Sequence, residues 1–185
     1  MDAQEPRPGG VVVGVDGSTP SRAALEFAYR DAARRGVPLR VVAAYSPPEY
    51  TQIWLETSVG EDLATYGETT EKVRVAAQGM VDDVRAGLAG EAAPPSLTVE
   101  AVAGLPARTL VGLSVGADLL VVGSRGHGGF ASMMLGSVSL QTVLHARCPV
   151  TVVHSPAAAQ EKNEEQDGER AEDVGLDPMV TVPLL

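Results

Sequence analysis

The sequence predicts an α/β fold: a parallel sheet of five strands with helices on both faces. Three observations predict it. Strand-like and helix-like stretches alternate in the order β-α-β-α-β-α-β-α-β, which requires parallel strands joined by right-handed crossovers. The first strand-like stretch, Gly10–Val15, is short, apolar and β-branched, as in a strand covered on both faces, while Leu97–Ala103 alternates. Finally, 44% of the 185 residues are apolar but only 4% aromatic, so the core must be built from Val, Leu and Ala.

Taken in order, residues 1–9 are polar, Pro-rich and expected to fray. Gly10–Val15 reads as the first strand. Asp16-Gly17-Ser18-Thr19-Pro20 follows, in which Ser18 or Thr19 can cap a helix and Pro20 suits its first turn. That helix runs to Arg35, with Ala24, Leu25, Ala28, Tyr29 and Ala32 on one face, and Gly36 ends it. Leu39–Tyr45 is the second strand. Residues 46–68 read as a long loop carrying an apolar patch at Tyr50, Ile53, Trp54 and Leu55, and loops of this length are usually functional. Helical spacing resumes near Thr69 and continues to Leu88, through Val73, Ala76, Ala77, Met80 and Val84. Leu97–Ala103 is a strand, Gly104-Leu105-Pro106 turns into a helix over 107–115, and Ala117–Val122 is the fourth strand. A helix over 137–146 leads to the last strand, Pro149–Val153. Residues 10–155 form the domain; 156–185 form an acidic tail expected to be disordered, in which Glu161–Asp177 holds eight acidic and two basic residues.

The formal charge of −10 argues against nucleic acid or an anionic membrane as partner, since both require clustered Lys and Arg. Cys148 is the single cysteine, so no internal disulfide is possible, and it is expected as a small core residue. No leader-like start and no membrane-length apolar run is seen, and the chain reads as cytoplasmic.

The chemistry concentrates at Gly123-Ser124-Arg125-Gly126-His127-Gly128-Gly129, closing at Gly136-Ser137-Val138-Ser139. A strand precedes it and a helix follows. Glycines there allow close approach and positive φ, and backbone N–H groups with a helix N-terminus can hold an anion. Ser137 and Ser139 are candidates for phosphate contact or for helix caps. Asp16 either meets a sugar hydroxyl or base amino group, or braces the Gly17-Ser18 turn. Arg125 either neutralises phosphate or is solvated. His127 either donates to phosphate or is an exposed loop residue, the latter being favoured, and His145 reads as a favourable charge at a helix C-terminus. There is no zinc spacing, no Gly-x-Ser-x-Gly elbow and no P-loop lysine after Gly136-Ser137, so any hydrolysis should be slow. The catalytic role is left open, with none the favoured reading.

Gly123, Gly126, Gly136 and Ser137 keep the spacing glycine, two residues, glycine, nine residues, glycine-serine. With Val11-Val12-Val13-Gly14-Val15-Asp16-Gly17-Ser18 at the front and Arg147-Cys148-Pro149-Val150-Thr151-Val152-Val153 at the end, the chain resembles the universal stress protein family over residues 10 to 155. The resemblance implies an open five-stranded parallel sheet of order 3-2-1-4-5, a Rossmann-like fold of the adenine nucleotide alpha hydrolase-like type. It implies ATP as cofactor, since the glycine spacing looks like that of the ATP-binding members; any Mg²⁺ would rest on phosphate oxygens and water. It places Val15, Asp16, Gly17 and Ser18 near adenine and ribose, with the backbone at Val42 and Ala43 flanking the base and Gly104 bordering base or ribose. Gly123, Ser124, Arg125 and Gly126 would approach ribose and α-phosphate, and Gly136, Ser137, Val138 and Ser139 the outer phosphates. It also implies a homodimer through the last strand, Val150–Val153, and an unknown protein partner. The function expected is a regulatory ATP-binding module of the stress response. The alternatives are an interaction protein binding AMP, cyclic AMP or no nucleotide, and a slow ATPase.

Overall fold

The computed structural model describes residues 9–46, 63–90, 94–126 and 135–155. The strands are β1 (Val11–Gly14), β2 (Leu39–Tyr45), β3 (Leu97–Ala103), β4 (Leu119–Gly123) and β5 (Val150–Val153). The helices are α1 (Thr19–Arg35), α2 (Leu63–Gly87), α3 (Pro106–Leu113) and α4 (Ser137–His145). All strand pairs are parallel and the spatial order is β3-β2-β1-β4-β5. The chain reverses direction across the sheet between β1 and β4, which leaves a crevice beyond their carboxyl ends.

Two cores lie on the two faces of the sheet. On one face α1 and α2 pack Ala24, Leu25, Ala28, Tyr29, Ala32, Ala77, Val81 and Val84 against Val11, Val13, Leu39, Val41 and Val121. On the other, α3 and α4 cover a smaller core of Val12, Val42, Leu110, Leu120 and Val122. The strict alternation of β1, Val11 and Val13 to one side and Val12 to the other, explains why it carries no polar residue.

The α1 face is as the spacing predicts. Ser18 is its N-cap, its Oγ accepting from the Ser21 N–H at 3.3 Å, and Gly36 closes the helix in the left-handed region at φ 65°. Helix α2 differs from expectation: it starts at Leu63, so part of the stretch read as loop is helical. Gly67, a weak helix former, falls within its first turns and obscured that start. Ala76, expected on its inner face, is exposed, and Val81 is buried instead. The Tyr50–Leu55 patch, His127–Gly129 and the tail lie outside the described residues. Cys148 is only partly buried, at the margin of the smaller core and ahead of β5 rather than in a strand. Among the described residues no helix is long and apolar enough to cross a membrane.

Candidate functional site

A cavity of about 440 Å³ opens at the carboxyl ends of β1, β2 and β4. That volume lies within the roughly 300–1,000 Å³ of small-ligand sites. Its walls divide by chemistry. Val15, Val42, Ala44, Pro106, Leu110 and Val122 make an apolar slot, while Gly123, Arg125, Gly126, Gly136, Ser137, Val138 and Ser139 make a polar end rich in backbone amides. Asp16 and Ser21 stand between the two.

The N-termini of α1 and α4 both reach this cavity, and they differ in one decisive respect. At α1 the Asp16 carboxylate already serves as the local anion: its Oδ1 accepts from the Ser18 N–H at 3.0 Å and the Ser18 Oγ–H at 2.6 Å. Asp16 therefore does brace the turn, and Gly17 supplies the positive φ, 93°, that the turn needs. At α4 the N-cap is Gly136, which offers no side-chain cap. The first intrahelical bond runs from the Leu140 N–H to the Gly136 carbonyl at 2.9 Å, so the amides of Ser137, Val138 and Ser139 have no acceptor within the helix. An anion in the cavity is thus drawn to α4 and repelled from the Asp16 side.

The glycines act chiefly by close approach. Gly123, Gly126 and Gly136 are not among the positive-φ residues, contrary to the expectation from the loop sequence. A Cβ on Gly123 would stand 2.7 Å from the Pro20 carbonyl carbon and 2.8 Å from the Ser21 nitrogen, so this glycine lets β4 abut the first turn of α1. A Cβ on Gly126 would strike the Asp16 carboxylate. Gly136 has room, its nearest neighbour being the Arg125 Cα at 3.4 Å. Its N–H donates to the Ser124 carbonyl at 2.8 Å, tying the end of the loop back to its start.

Among the serines, Ser139 is buried and its Oγ–H donates to the Gly123 carbonyl at 2.7 Å. That hydroxyl proton is engaged in holding α4 against β4, so Ser139 offers a ligand its amide rather than its hydroxyl. Ser137 is exposed at the rim. Ser124 acts through its backbone, donating to the Val153 carbonyl at 2.8 Å, while its side chain is 1% exposed with no partner for Oγ.

Of the residues expected at the site, Val15, Asp16, Val42, Gly123, Arg125, Gly126, Gly136, Ser137, Val138 and Ser139 line the cavity. Gly17, Ser18, Ala43, Gly104 and Ser124 do not. Ala43 points into the core under α1 and α2, and its neighbour Ala44 takes the cavity side. Gly104 has φ 154° and donates its N–H to the Tyr45 carbonyl at 2.8 Å, which sets the β3–α3 turn behind the slot. Sequence reasoning missed Gly14, Ser21, Ala44, Pro106, Leu110, Val122 and Leu135. Strand periodicity marks Ala44 and Val122 as sharing the face of Val42 and Leu120, so these two were within its reach.

The model of the universal stress protein family matches residues 10–154. The chain belongs to the universal stress protein family. It is 35% identical over 150 residues to Universal stress protein Rv2623 of Mycobacterium tuberculosis, covering 78% of this chain and 47% of that protein. It is 36% identical over 156 residues to Universal stress protein Mb2028c of Mycobacterium bovis, covering 80% and 49%. The chain thus spans about half the length of the curated relatives it matches. Among solved structures, a universal stress protein in complex with cAMP aligns with a TM-score of 0.52 and 28% identity over 80% of this chain and 97% of that one. UspA from Lactobacillus plantarum aligns with a TM-score of 0.57 and 24% identity over 80% and 98%, a likeness of fold.

Proposed function

We propose that this universal stress protein domain is an adenine-nucleotide-binding regulatory module, with ATP its principal ligand. The observation that carries the reading is the pairing of an apolar slot with an uncapped helix N-terminus at the two ends of one cavity. A planar base fits between Val42, Ala44, Pro106 and Leu110, out of water. The ribose hydroxyls lie at Asp16, whose second carboxylate oxygen faces the Gly126 backbone. The phosphates run along Gly123–Gly126 to the amides of Ser137–Ser139, where the helix dipole favours negative charge. The cAMP complex of the related protein supports an adenine-nucleotide ligand.

Regulation is the reading favoured here, with slow hydrolysis the alternative. Among the described residues Asp16 is the one carboxylate lining the cavity, and it sits at the sugar, away from where a terminal phosphate would lie. Binding instead biases α4 toward one arrangement, a population shift that a partner can read. The outer edge of β5, unpaired among the described residues, suits a second copy of the chain, giving a homodimer.

Equilibrium titration of the full chain with a fluorescent ATP analogue, followed by competition with ATP, AMP and cyclic AMP, tests the reading. ATP displacing the probe more strongly than AMP supports contacts to the outer phosphates. Cyclic AMP as the strongest competitor would assign the site to a monophosphate. No displacement by any of them would overturn nucleotide binding.

A further inference from the structure

The chain leaves the domain beside the anion site. Gly123, the last residue of β4, pairs with Val153 at the end of β5, and the Ser124 N–H donates to the Val153 carbonyl at 2.8 Å. Gly123 and Ser124 also hold α4, their carbonyls accepting from the Ser139 Oγ–H and the Gly136 N–H. The carboxyl end of β5 and the amino end of α4 are thus tied to the same pair of residues. The chain stays packed through Ser155, which is 2% exposed, so residues 156–185 continue from this junction.

Among the described residues, donors without acceptors gather there. The amides of Ser137, Val138 and Ser139 have none within the helix, and Gly136 supplies no side-chain cap. The Ser124 Oγ is buried with no partner. Arg125 adds a cation to the same end of the cavity. Residues 156–185 carry the complementary charge: eight acidic and two basic side chains, or −6 of the chain's −10. The nearest four acids are Glu161, Glu164, Glu165 and Asp167. Glu161 is six residues past Ser155, a reach of up to about 20 Å, whereas neighbouring strands lie only about 5 Å apart.

We propose that these four carboxylates are a second, tethered ligand of the α4 anion site, and that they occupy it when no phosphate is bound. The proposal rests on the nucleotide reading above for its effect on ATP. A carboxylate meets the positive end of a helix dipole and accepts from its free amides as a phosphate does. Each such contact is weak for a free ligand, but a short tether keeps the tail near the site at millimolar effective concentration. One set of amides cannot serve two anions at once. The tail therefore competes with the outer phosphates and leaves the apolar slot open, and the Asp16 charge keeps it from the sugar end. ATP binding releases the tail from α4.

Two full-length variants that each remove four charges test this. The near variant carries Glu161→Gln, Glu164→Gln, Glu165→Gln and Asp167→Asn; the far variant carries Glu169→Gln, Glu172→Gln, Asp173→Asn and Asp177→Asn. Titration with ATP and with adenosine at low ionic strength, beside amide NMR spectra of the ligand-free proteins, reads the contact. The near variant should bind ATP about three- to tenfold more tightly than wild type, and the far variant less than about twofold more tightly, because a longer tether dilutes its charges. Adenosine should bind all three proteins alike. The Ser137–Ser139 amide resonances of the ligand-free chain should move in the near variant and hold in the far one. Equal gains in ATP affinity would reduce the tail to a diffuse field and overturn the docking. A matching gain for adenosine would put the tail across the slot and overturn it too. Amides that hold in the near variant overturn the docking, and ATP binding by the same samples leaves the nucleotide reading intact. If neither ATP nor adenosine binds, the nucleotide reading and the competition fall together, and the amide resonances alone decide whether the tail docks.

Discussion

Ser137→Glu separates the anion site from the fold. Ser137 is exposed at the first position of α4, next to the N-cap Gly136, which makes no side-chain cap bond. A glutamate there complements the helix dipole, so the free protein should be unchanged or more stable by about 0.3–1 kcal/mol. The same carboxylate stands where the outer phosphates of ATP would lie. A unit charge about 5 Å from another, at an effective dielectric near 40, is repelled by roughly 1.7 kcal/mol. With the two or so nearest phosphate charges and partial screening by salt, the net penalty is about 1.5–3 kcal/mol, a roughly 10- to 150-fold loss of ATP affinity. Adenosine, which carries no phosphate, should bind wild type and variant alike. Isothermal titration with ATP and adenosine, beside a thermal melt, makes the comparison. If the variant folds normally and binds ATP as tightly as wild type, the phosphates do not lie at α4 and the orientation of the ligand is wrong.

Three further outcomes follow from single contacts. Gly123→Ala should lower stability by about 1–3 kcal/mol, since the new methyl meets the Pro20–Ser21 backbone at 2.7–2.8 Å and neither side can rotate away; an unchanged melting temperature would show that β4 and α1 do not abut. Ser18→Ala removes the α1 cap and the 2.6 Å bond to Asp16, and should cost about 1–2 kcal/mol in urea unfolding while leaving the α4 end of the site in place. The Cys148 thiol is pushed above its ordinary range, first by burial, so the folded chain holds the neutral form over a pH range in which the unfolded chain ionises. Alkylation by iodoacetamide at pH 8 should therefore be slower in folded than in unfolded protein, and stability should fall as pH rises through the unfolded thiol's pKa near 9; equal alkylation rates would contradict this.

The fold was legible because the central strands β1 and β4 are buried on both faces and say so in their residues. β1 and β4 are nearly pure Val, Leu and Gly, and Gly36 and Pro106 mark where the chain must turn. Where tertiary structure outweighs local signal, the sequence misleads. The start of α2 is hidden by Gly67, because an isolated glycine reads as a break although the long helix absorbs its cost. At the site, the glycine and serine positions were visible from their spacing, but their division of labour was not. Ala43 and Ala44 are the same residue one position apart, and only the pleat decides which one faces the cavity. Pro106 and Leu110 come from α3, whose distance from the glycine segment in the chain gives no hint that it forms one wall of the slot.

That division of labour explains how an acidic chain can present an anion site with Arg125 as the one cationic side chain among the described residues lining the cavity. Three amides at the start of α4 supply the positive end, and their worth depends on being held still and pointing inward. Two bonds fix them: Ser139 Oγ–H to the Gly123 carbonyl, and Gly136 N–H to the Ser124 carbonyl. Both acceptors belong to the last residue of β4 or the one after it, and β4 is itself located by Gly123 lying against the α1 backbone. Gly123 therefore acts on the α4 amides through position: a side chain there would lift β4 from α1 and carry those amides with it. Gly126 acts differently, leaving space for the Asp16 carboxylate. The glycine spacing thus holds the start of α4 against β4 and makes room for the Asp16 carboxylate beside it.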